Sequence, residues 1–238
     1  MFHKSYPFYT GSSKFMVIHF EKYANWCKKI LKNPGKVIEL GSNDGTFLKN
    51  FRNTNFECIG FEPSKNVSDV AIKNGIKSYN CFFSLKNIGQ IKNFFGKTDL
   101  ICAANVICHI PDLNELILCI DKLLSKNGLF IFEEPYLGSV YKKTSYDQIY
   151  DEHIYLFSAH SIKKIFEIYN MTLIDCIPQE THGGSMRYVI ARKNTKKQKK
   201  IVNKILDNEK RLNLDNSEFC KKFKKNCELS KFNLKKKL

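Results

Sequence analysis

Two hydrophobic rhythms alternate along this chain. Short, nearly unbroken apolar runs at 36–40, 57–61, 99–103 and 129–132 predict strands buried on both faces, and further strands are expected near 77–79, 173–176 and 186–191. Between them, apolar residues recur at helical spacing. Ser12 or Ser13 caps a helix carrying Phe15, Phe20, Tyr23, Cys27 and Ile30, which Asn33-Pro34-Gly35 stops. A second helix closes at Asn74-Gly75. A third bears Leu113, Leu116, Ile117, Ile120, Leu123 and Leu124 and runs to Asn127-Gly128. A fourth is expected near 161–169. Strands alternating with helices predict an α/β protein with a mostly parallel, doubly wound sheet, whose site lies at the carboxyl ends of the strands. From Thr195 the pattern becomes lysine-rich and helical, with too few apolar residues for a second core. The expected division is a leading segment and helix at 1–35, a ligand-binding domain at 36–193 with an insertion at 136–158, and a basic helical tail at 194–238.

Charge changes this picture little. The 238 residues carry a formal net charge of +16, but residues 192–238 hold 17 Lys+Arg against 5 Asp+Glu, whereas 1–191 hold 22 against 18. The basicity therefore belongs to the tail, and a solvated helix is favoured there over a nucleic-acid arm. No run of eighteen apolar residues and no charged-then-apolar leader is present, so neither a membrane span nor a signal peptide is expected. The nine cysteines are scattered without a C-x-x-C pair. Cys58, Cys102 and Cys119 sit in apolar runs as core thiols, which suits a reducing cytoplasm.

Candidate chemistry begins where the first strand ends, in Glu39-Leu40-Gly41-Ser42-Asn43-Asp44-Gly45. Gly41 and Gly45 permit a tight turn, expected to open a helix, and close approach by a ligand. Glu39 beside the turn would repel a phosphate and suits a cationic amino-acid ligand, unlike the dinucleotide fingerprint, which keeps a helix N-terminus open for pyrophosphate. Glu62, closing the second strand, is placed to accept two ribose hydroxyls. Phe82 and Phe83, after the third strand, could wall a base or could be ordinary core. Asn105, after the fourth, is placed beside the amino-acid part of such a ligand. This turn resembles the first motif of S-adenosylmethionine-dependent methyltransferases, which implies a class I, Rossmann-like fold with that cofactor held by Glu39, Gly41, Ser42, Asn43, Asp44, Gly45, Glu62, Phe82, Phe83 and Asn105.

The segment 146–158 is too polar and aromatic to be a plain connector. Tyr150, Glu152 and His153 gather a phenol, a carboxylate and an imidazole, and a nearby carboxylate can orient an imidazole and tune it for general base work. His109 follows the fourth strand, and His182 opens His182-Gly183-Gly184-Ser185, whose glycines let backbone approach a ligand. Three histidines could hold zinc, but none has H-x-x-x-H or H-x-C spacing, so metal is the minor reading and no metal ligand is assigned.

These blocks come in a telling order. Tyr6–Ser13, Glu39–Gly45, Ala104–Asp112, Glu134-Pro135-Tyr136, Tyr146–Ser158 and His182–Arg187 are similar in sequence and order to the sugar C-methyltransferases. That resemblance covers nearly all of 1–191, and implies methylation at carbon 3 of a nucleotide-linked keto-sugar for polysaccharide or glycoside biosynthesis. It implies His153 as the base that forms an enolate, Tyr150 and His109 as donors to its oxygen, and Glu152 orienting or holding the sugar. Tyr9 or Tyr6, Tyr136, His182, Gly183 and Gly184 are implied on the substrate side. Members of that family commonly open with a cysteine-rich zinc module and continue into a glycine-containing α/β domain. Against that pattern, Met1-Phe2-His3 starts just after the module and the tail is the start of the further domain, so a separately encoded domain is an expected partner. Transfer to an oxygen or nitrogen of another molecule, a cofactor-binding remnant without turnover, and a non-catalytic binding module stay open as alternatives.

Overall fold

The protein is described from a computed structural model at residues 5–237; Met1–Lys4 and Leu238, and the readings that fall on them, lie outside the described residues. Seven strands hydrogen-bond in the order β3-β2-β1-β4-β5-β7-β6. They are β1 (Lys36–Leu40), β2 (Glu57–Phe61), β3 (Ser78–Tyr79), β4 (Thr98–Ala104), β5 (Leu124–Pro135), β6 (Met171–Gln179) and β7 (Ser185–Arg192). β1 pairs in parallel with β2 and β4, β2 in parallel with β3, and β6 antiparallel with β7. This is the Rossmann-like order expected of a class I methyltransferase. Among the described residues no helix is long and apolar enough to cross a membrane.

The chain divides into two compact units: one runs to Val106 and includes Asp112–Ile131, the other takes Ile107–Pro111 and the chain from Phe132 onward. In the first, α1 (Lys14–Leu31) starts at Ser13, whose side chain accepts from the Met16 amide. Its buried residues Phe20, Tyr23, Ala24 and Cys27 repeat at the spacing of one helical face. Each large side chain of that stripe is worth about 1.5–3 kcal/mol of burial. Tyr23 also donates its hydroxyl to the Ile131 carbonyl at 3.1 Å. Helices α2 (Lys65–Lys73) and α3 (Leu85–Ile88) follow β2 and β3.

Two expectations need correction here. The glycine turn does not open an α-helix: only a 3-10 turn, Leu48–Phe51, follows it. The Asn50 side chain donates to the Thr46 and Phe47 carbonyls, both at 3.0 Å, so it competes for the acceptors an α-helical ladder would use. The helix predicted to reach Asn127-Gly128 is α4 (Leu113–Leu123), and it yields at Leu124 to the twelve-residue β5. The Gly96 amide takes the Lys122 carbonyl at 2.9 Å, an acceptor that a further helical turn would have used.

The second unit holds α5 (Leu137–Lys143), α6 (Ala159–Glu167), α7 (Lys200–Arg211) and α8 (Glu218–Lys235). Phe132 lies between Phe166 and Tyr188, with ring centroids 6.1 and 5.1 Å away, and Ile162, Met171, Leu173, Ile190 and Val202 complete this core. The basic tail is only partly solvated. α8 buries nothing, but α7 buries Val202 and Glu209. Glu209 accepts the Ala159 amide at 2.7 Å and the His160 amide at 2.9 Å, so a carboxylate caps α6 in addition to the reciprocal Ser158–Ser161 box.

Candidate functional site

The first unit's polar residues gather where β1, β2 and β4 end. Glu39 closes β1 and is 5 % exposed, and its Oε2 is buried with no hydrogen-bond partner. Burial, and then the charges of Asp44 and Glu62, push its carboxyl well above the usual range. A buried acid in that condition regains its charge only opposite a cation. After it the chain turns through Gly41 at φ 64°, and any Cβ there would strike Val106. The Gly41 and Ser42 amides donate to the Phe61 carbonyl at 2.8 and 3.2 Å, which clamps the turn to the end of β2.

Glu62 follows directly and is 3 % exposed. It accepts the Asn43 amide at 3.0 Å and the Ser64 amide at 2.7 Å, one on each oxygen. Each oxygen keeps a second lone-pair direction, which suits a pair of vicinal hydroxyls. Burial raises its pKa and the two amides oppose the rise. Past β4, Asn105 sits at φ 56° with its Oδ1 buried and unpartnered, as is the Ser42 Oγ. Unsatisfied buried polar atoms are uncommon and call for a ligand or water. An ammonium for Glu39, hydroxyls for Glu62 and a polar group for Asn105 together describe an amino acid joined to a nucleoside.

Other predicted cofactor residues serve differently. The Asn43 side chain accepts the Thr10 amide at 2.9 Å and donates to the Phe8 carbonyl at 3.0 Å. Asp44 accepts the Gly11 amide at 2.7 Å on one oxygen and Thr46 on the other. Both side chains thus strap the segment 8–11 across the turn, so what they give a ligand comes through the turn's shape. Asn66 holds the same segment, trading hydrogen bonds with the Tyr6 backbone and donating to the Tyr9 hydroxyl at 2.9 Å. The phenylalanine pair separates: Phe83 packs edge-on against Phe61 at 5.2 Å, while Phe82 is 58 % exposed.

The second unit brings His109 and His153 together, with ring centroids 5.1 Å apart. Their support is backbone. The Glu134 carboxylate accepts the Ile107 amide at 2.6 Å, fixing the 3-10 turn Ile107–His109, and the Cys108 carbonyl accepts the amides of Ile154 and Tyr155. His153 Nδ1 lies 2.8 Å from the Gln148 carbonyl, and its Nε2 lies 3.0 Å from the Tyr150 hydroxyl. A carbonyl can only accept, so Nδ1 carries the proton and the neutral ring's lone pair is on Nε2. His109 Nδ1 is likewise 2.7 Å from the Glu152 carbonyl, which puts its neutral lone pair on Nε2 too. Burial, followed by the neighbouring His153, lowers the His109 pKa against the pull of that carbonyl. Burial raises the Tyr150 phenol.

Sequence reading gave the orienting role to the Glu152 carboxylate. The structure gives it to two main-chain carbonyls, and leaves the Glu152 side chain exposed. Tyr136 is 7 % exposed and its ring covers Gly138. Its amide donates to the carbonyl of Gly184, which stands at φ 127° and so only as glycine. His182 and Gly183 are exposed on a 3-10 turn, with Lys143 donating to the Gly183 carbonyl at 2.5 Å. Sequence reading assigned no role to Arg187, whose Nε and Nη2 both reach the Glu133 Oε1, at 2.6 and 2.5 Å, in a buried ion pair. It also missed Cys108, whose side chain lies with the two imidazoles.

Comparison with known proteins agrees with this geometry. Residues 18–175 match the family model described as a methyltransferase domain, and residues 180–238 match one described as a C-methyltransferase C-terminal domain. The C-methyltransferase NovU of Streptomyces niveus is 30% identical over 183 residues, covering 76% of this chain but only 44% of that protein. An S-adenosylmethionine-dependent methyltransferase from Clostridium acetobutylicum superposes with a TM-score of 0.58 at 14% identity, covering 75% of this chain and 92% of that one. Magnesium protoporphyrin IX methyltransferase of Synechocystis, solved with bound SAH, gives 0.53 at 14%, covering 74% and 83%. At such identity the two solved structures speak for the fold. With the family model spanning most of the chain, the protein belongs to the methyltransferase-domain family and takes S-adenosylmethionine as its cofactor.

Proposed function

We propose that this chain is a C-methyltransferase acting on a nucleotide-linked keto-sugar, with His153 as the base that makes the acceptor carbon nucleophilic. The observation carrying this reading is the tautomer set by the Gln148 carbonyl, which leaves the His153 Nε2 lone pair beside a phenol. A saturated carbon beside a ketone has no lone pair until a base removes its proton, and this imidazole is placed to be such a base. The name of the 30% identical relative and the C-terminal family match favour carbon as well.

In this reading Nε2 takes the proton from the carbon beside the ketone, and the electron pair moves onto the ketone oxygen as an enolate. The Tyr150 hydroxyl must leave Nε2 for the carbon-bound proton to arrive, which frees it to donate to that oxygen. His109, protonated on Nδ1 and lowered in pKa, meets the sugar as an acceptor, so the donor role falls to Tyr150. Glu39, Glu62 and Asn105 hold the amino-acid and ribose parts of the cofactor. When bound, S-adenosylmethionine supplies an electrophilic methyl on a cationic sulfur. The N-terminal strap bearing Tyr6 and Tyr9 and the His182-Gly183-Gly184 turn are assigned to the sugar nucleotide.

The test is solvent exchange without cofactor. Incubated in deuterium oxide with nucleotide keto-sugars, the protein is expected to wash deuterium into the position next to the ketone. Methyl transfer to an oxygen or nitrogen with no such exchange overturns the reading and favours the alternative acceptors.

A further inference from the structure

The imidazole pair has a third neighbour that proton transfer does not use. Cys108 is buried at 1 % exposure, and its Sγ and one ring nitrogen from each of His109 and His153 all lie within 4.8 Å of one another. Each histidine is held through Nδ1 by a main-chain carbonyl, at 2.7 and 2.8 Å. That is the outer-sphere arrangement of metal-bound imidazoles, which fixes the tautomer and directs Nε2 at the ion.

We propose that Cys108, His109 and His153 form a binding site for a zinc-class divalent cation. One sulfur and two imidazole nitrogens make a soft donor set that suits zinc and disfavours magnesium or calcium, which take oxygen ligands. Tetrahedral zinc with its usual bond lengths sets such donors about 3.3–3.6 Å apart, so the triad tightens by up to about 1.5 Å on binding. The turn Ile107–His109 is anchored by Glu134 and by the amides of Ile154 and Tyr155, so the movement falls to the side chains. The Cys108 thiol releases its proton to solvent as the metal–sulfur bond forms, and the ion takes the two imidazole lone pairs. Tyr150, 3.0 Å from the His153 Nε2, gives up that hydrogen bond and stands with water for the fourth position. The site goes beyond the catalytic reading and competes with it, because one lone pair cannot serve both a proton and a metal. If His153 is the base, the bound ion inhibits.

The experiment reads metal binding alone. The full chain, stripped with chelator and kept reduced, is titrated with cobalt(II) and then with zinc. We expect one equivalent of cobalt, a thiolate-to-cobalt charge-transfer band with intense tetrahedral visible absorption, and displacement by zinc. Cys108→Ala is expected to abolish the charge-transfer band and weaken binding by more than tenfold, with circular dichroism reporting an unchanged fold. His153→Ala weakens binding, whereas Tyr150→Phe and Cys220→Ala, the latter at an exposed thiol elsewhere, retain the band. Absence of the band in the unmodified chain, its survival in Cys108→Ala, or its loss in Cys220→Ala or Tyr150→Phe overturns the site. Deuterium exchange is measured separately, so failure of the metal site leaves the base untouched, and failure of the base leaves the metal site standing.

Discussion

The two polar centres of this protein are prepared in opposite ways. At the glycine turn the functional atoms are buried and left wanting: Glu39 Oε2, Ser42 Oγ and Asn105 Oδ1 have no partner. Around His153 the two imidazoles, Tyr150 and Glu152 are half-buried or exposed, and each imidazole already has its main-chain carbonyl. An unsatisfied buried acid lowers the stability of the empty fold and is relieved by one complementary ligand, which makes for selective binding. An imidazole with one nitrogen fixed and the other facing a phenol needs no ligand to be stable. Its Nε2 lone pair can take a proton, and the ring is only half-buried. On the proposed reading the first centre recognises and the second reacts.

The largest effect belongs to the reactive centre. His153→Ala is expected to lower deuterium exchange into a keto-sugar by about 10²–10⁴-fold, the usual contribution of a positioned base. Equilibrium binding of S-adenosylhomocysteine should change by less than about twofold. If binding falls with exchange, the contrast between a recognising and a reacting centre is wrong. Glu39→Gln gives the converse. Loss of a charged partner for the ligand's ammonium should weaken S-adenosylhomocysteine binding by about 10–150-fold, measured by calorimetry. The ligand-free protein should melt higher, because the raised Glu39 pKa means that stability is lost as pH climbs above the usual carboxyl value of 4.5 toward the folded one. Removing the acid removes that loss, and a gain of about 1 kcal/mol would appear as roughly 2–4 °C. A lower melting temperature at neutral pH would mean that Glu39 is satisfied without ligand.

Glu209→Ala tests whether the tail belongs to the fold. It deletes the carboxylate that caps α6 through the Ala159 and His160 amides, and should destabilise the chain by about 2 kcal/mol in urea unfolding. Cofactor affinity should stay within about twofold. An unchanged urea midpoint would make α7 an ornament on the surface.

These centres were not equally legible from the residues. The glycine turn was readable because its parts are close in sequence: an apolar strand, an acid at its end, two glycines and a second acid closing the next strand. The β1, β2 and β4 positions followed from apolar runs that parallel pairing buries on both faces. The 3-10 turn after Gly45 was not readable, because it depends on which carbonyls the Asn50 side chain reaches. The imidazole cluster was readable as a list of residue types but not as a geometry. Cys108 and His153 are joined by hydrogen bonds from the amides of 154–155 to one carbonyl, and main-chain partners leave no trace in residue identity. For the same reason the Glu152 carboxylate drew the role that its own backbone and that of Gln148 perform. Glu209, one acid among many lysines, looked solvated because nothing local marks the helix end that it caps.

The smallest expected effect concerns His109, and it divides electrostatics from contact. Burial and the neighbouring His153 lower its pKa, while the Glu152 carbonyl opposes the change. A histidine whose folded pKa lies below its unfolded value of about 6.5 contributes stability that is present above that value and is lost as pH falls toward the folded one. Unfolding free energy should therefore rise with pH across this window, by less than about 1.4 kcal/mol per pH unit, the limit for one proton. His109→Gln should flatten the rise while retaining a side chain that can donate to the Glu152 carbonyl. If the slope survives the substitution, other groups own it, and His109 titrates as an ordinary surface imidazole. If the slope vanishes, the ring is held neutral at physiological pH with its lone pair on Nε2. In the proposed mechanism an acceptor there orients a sugar hydroxyl, whereas an imidazolium would repel the proton that His153 collects.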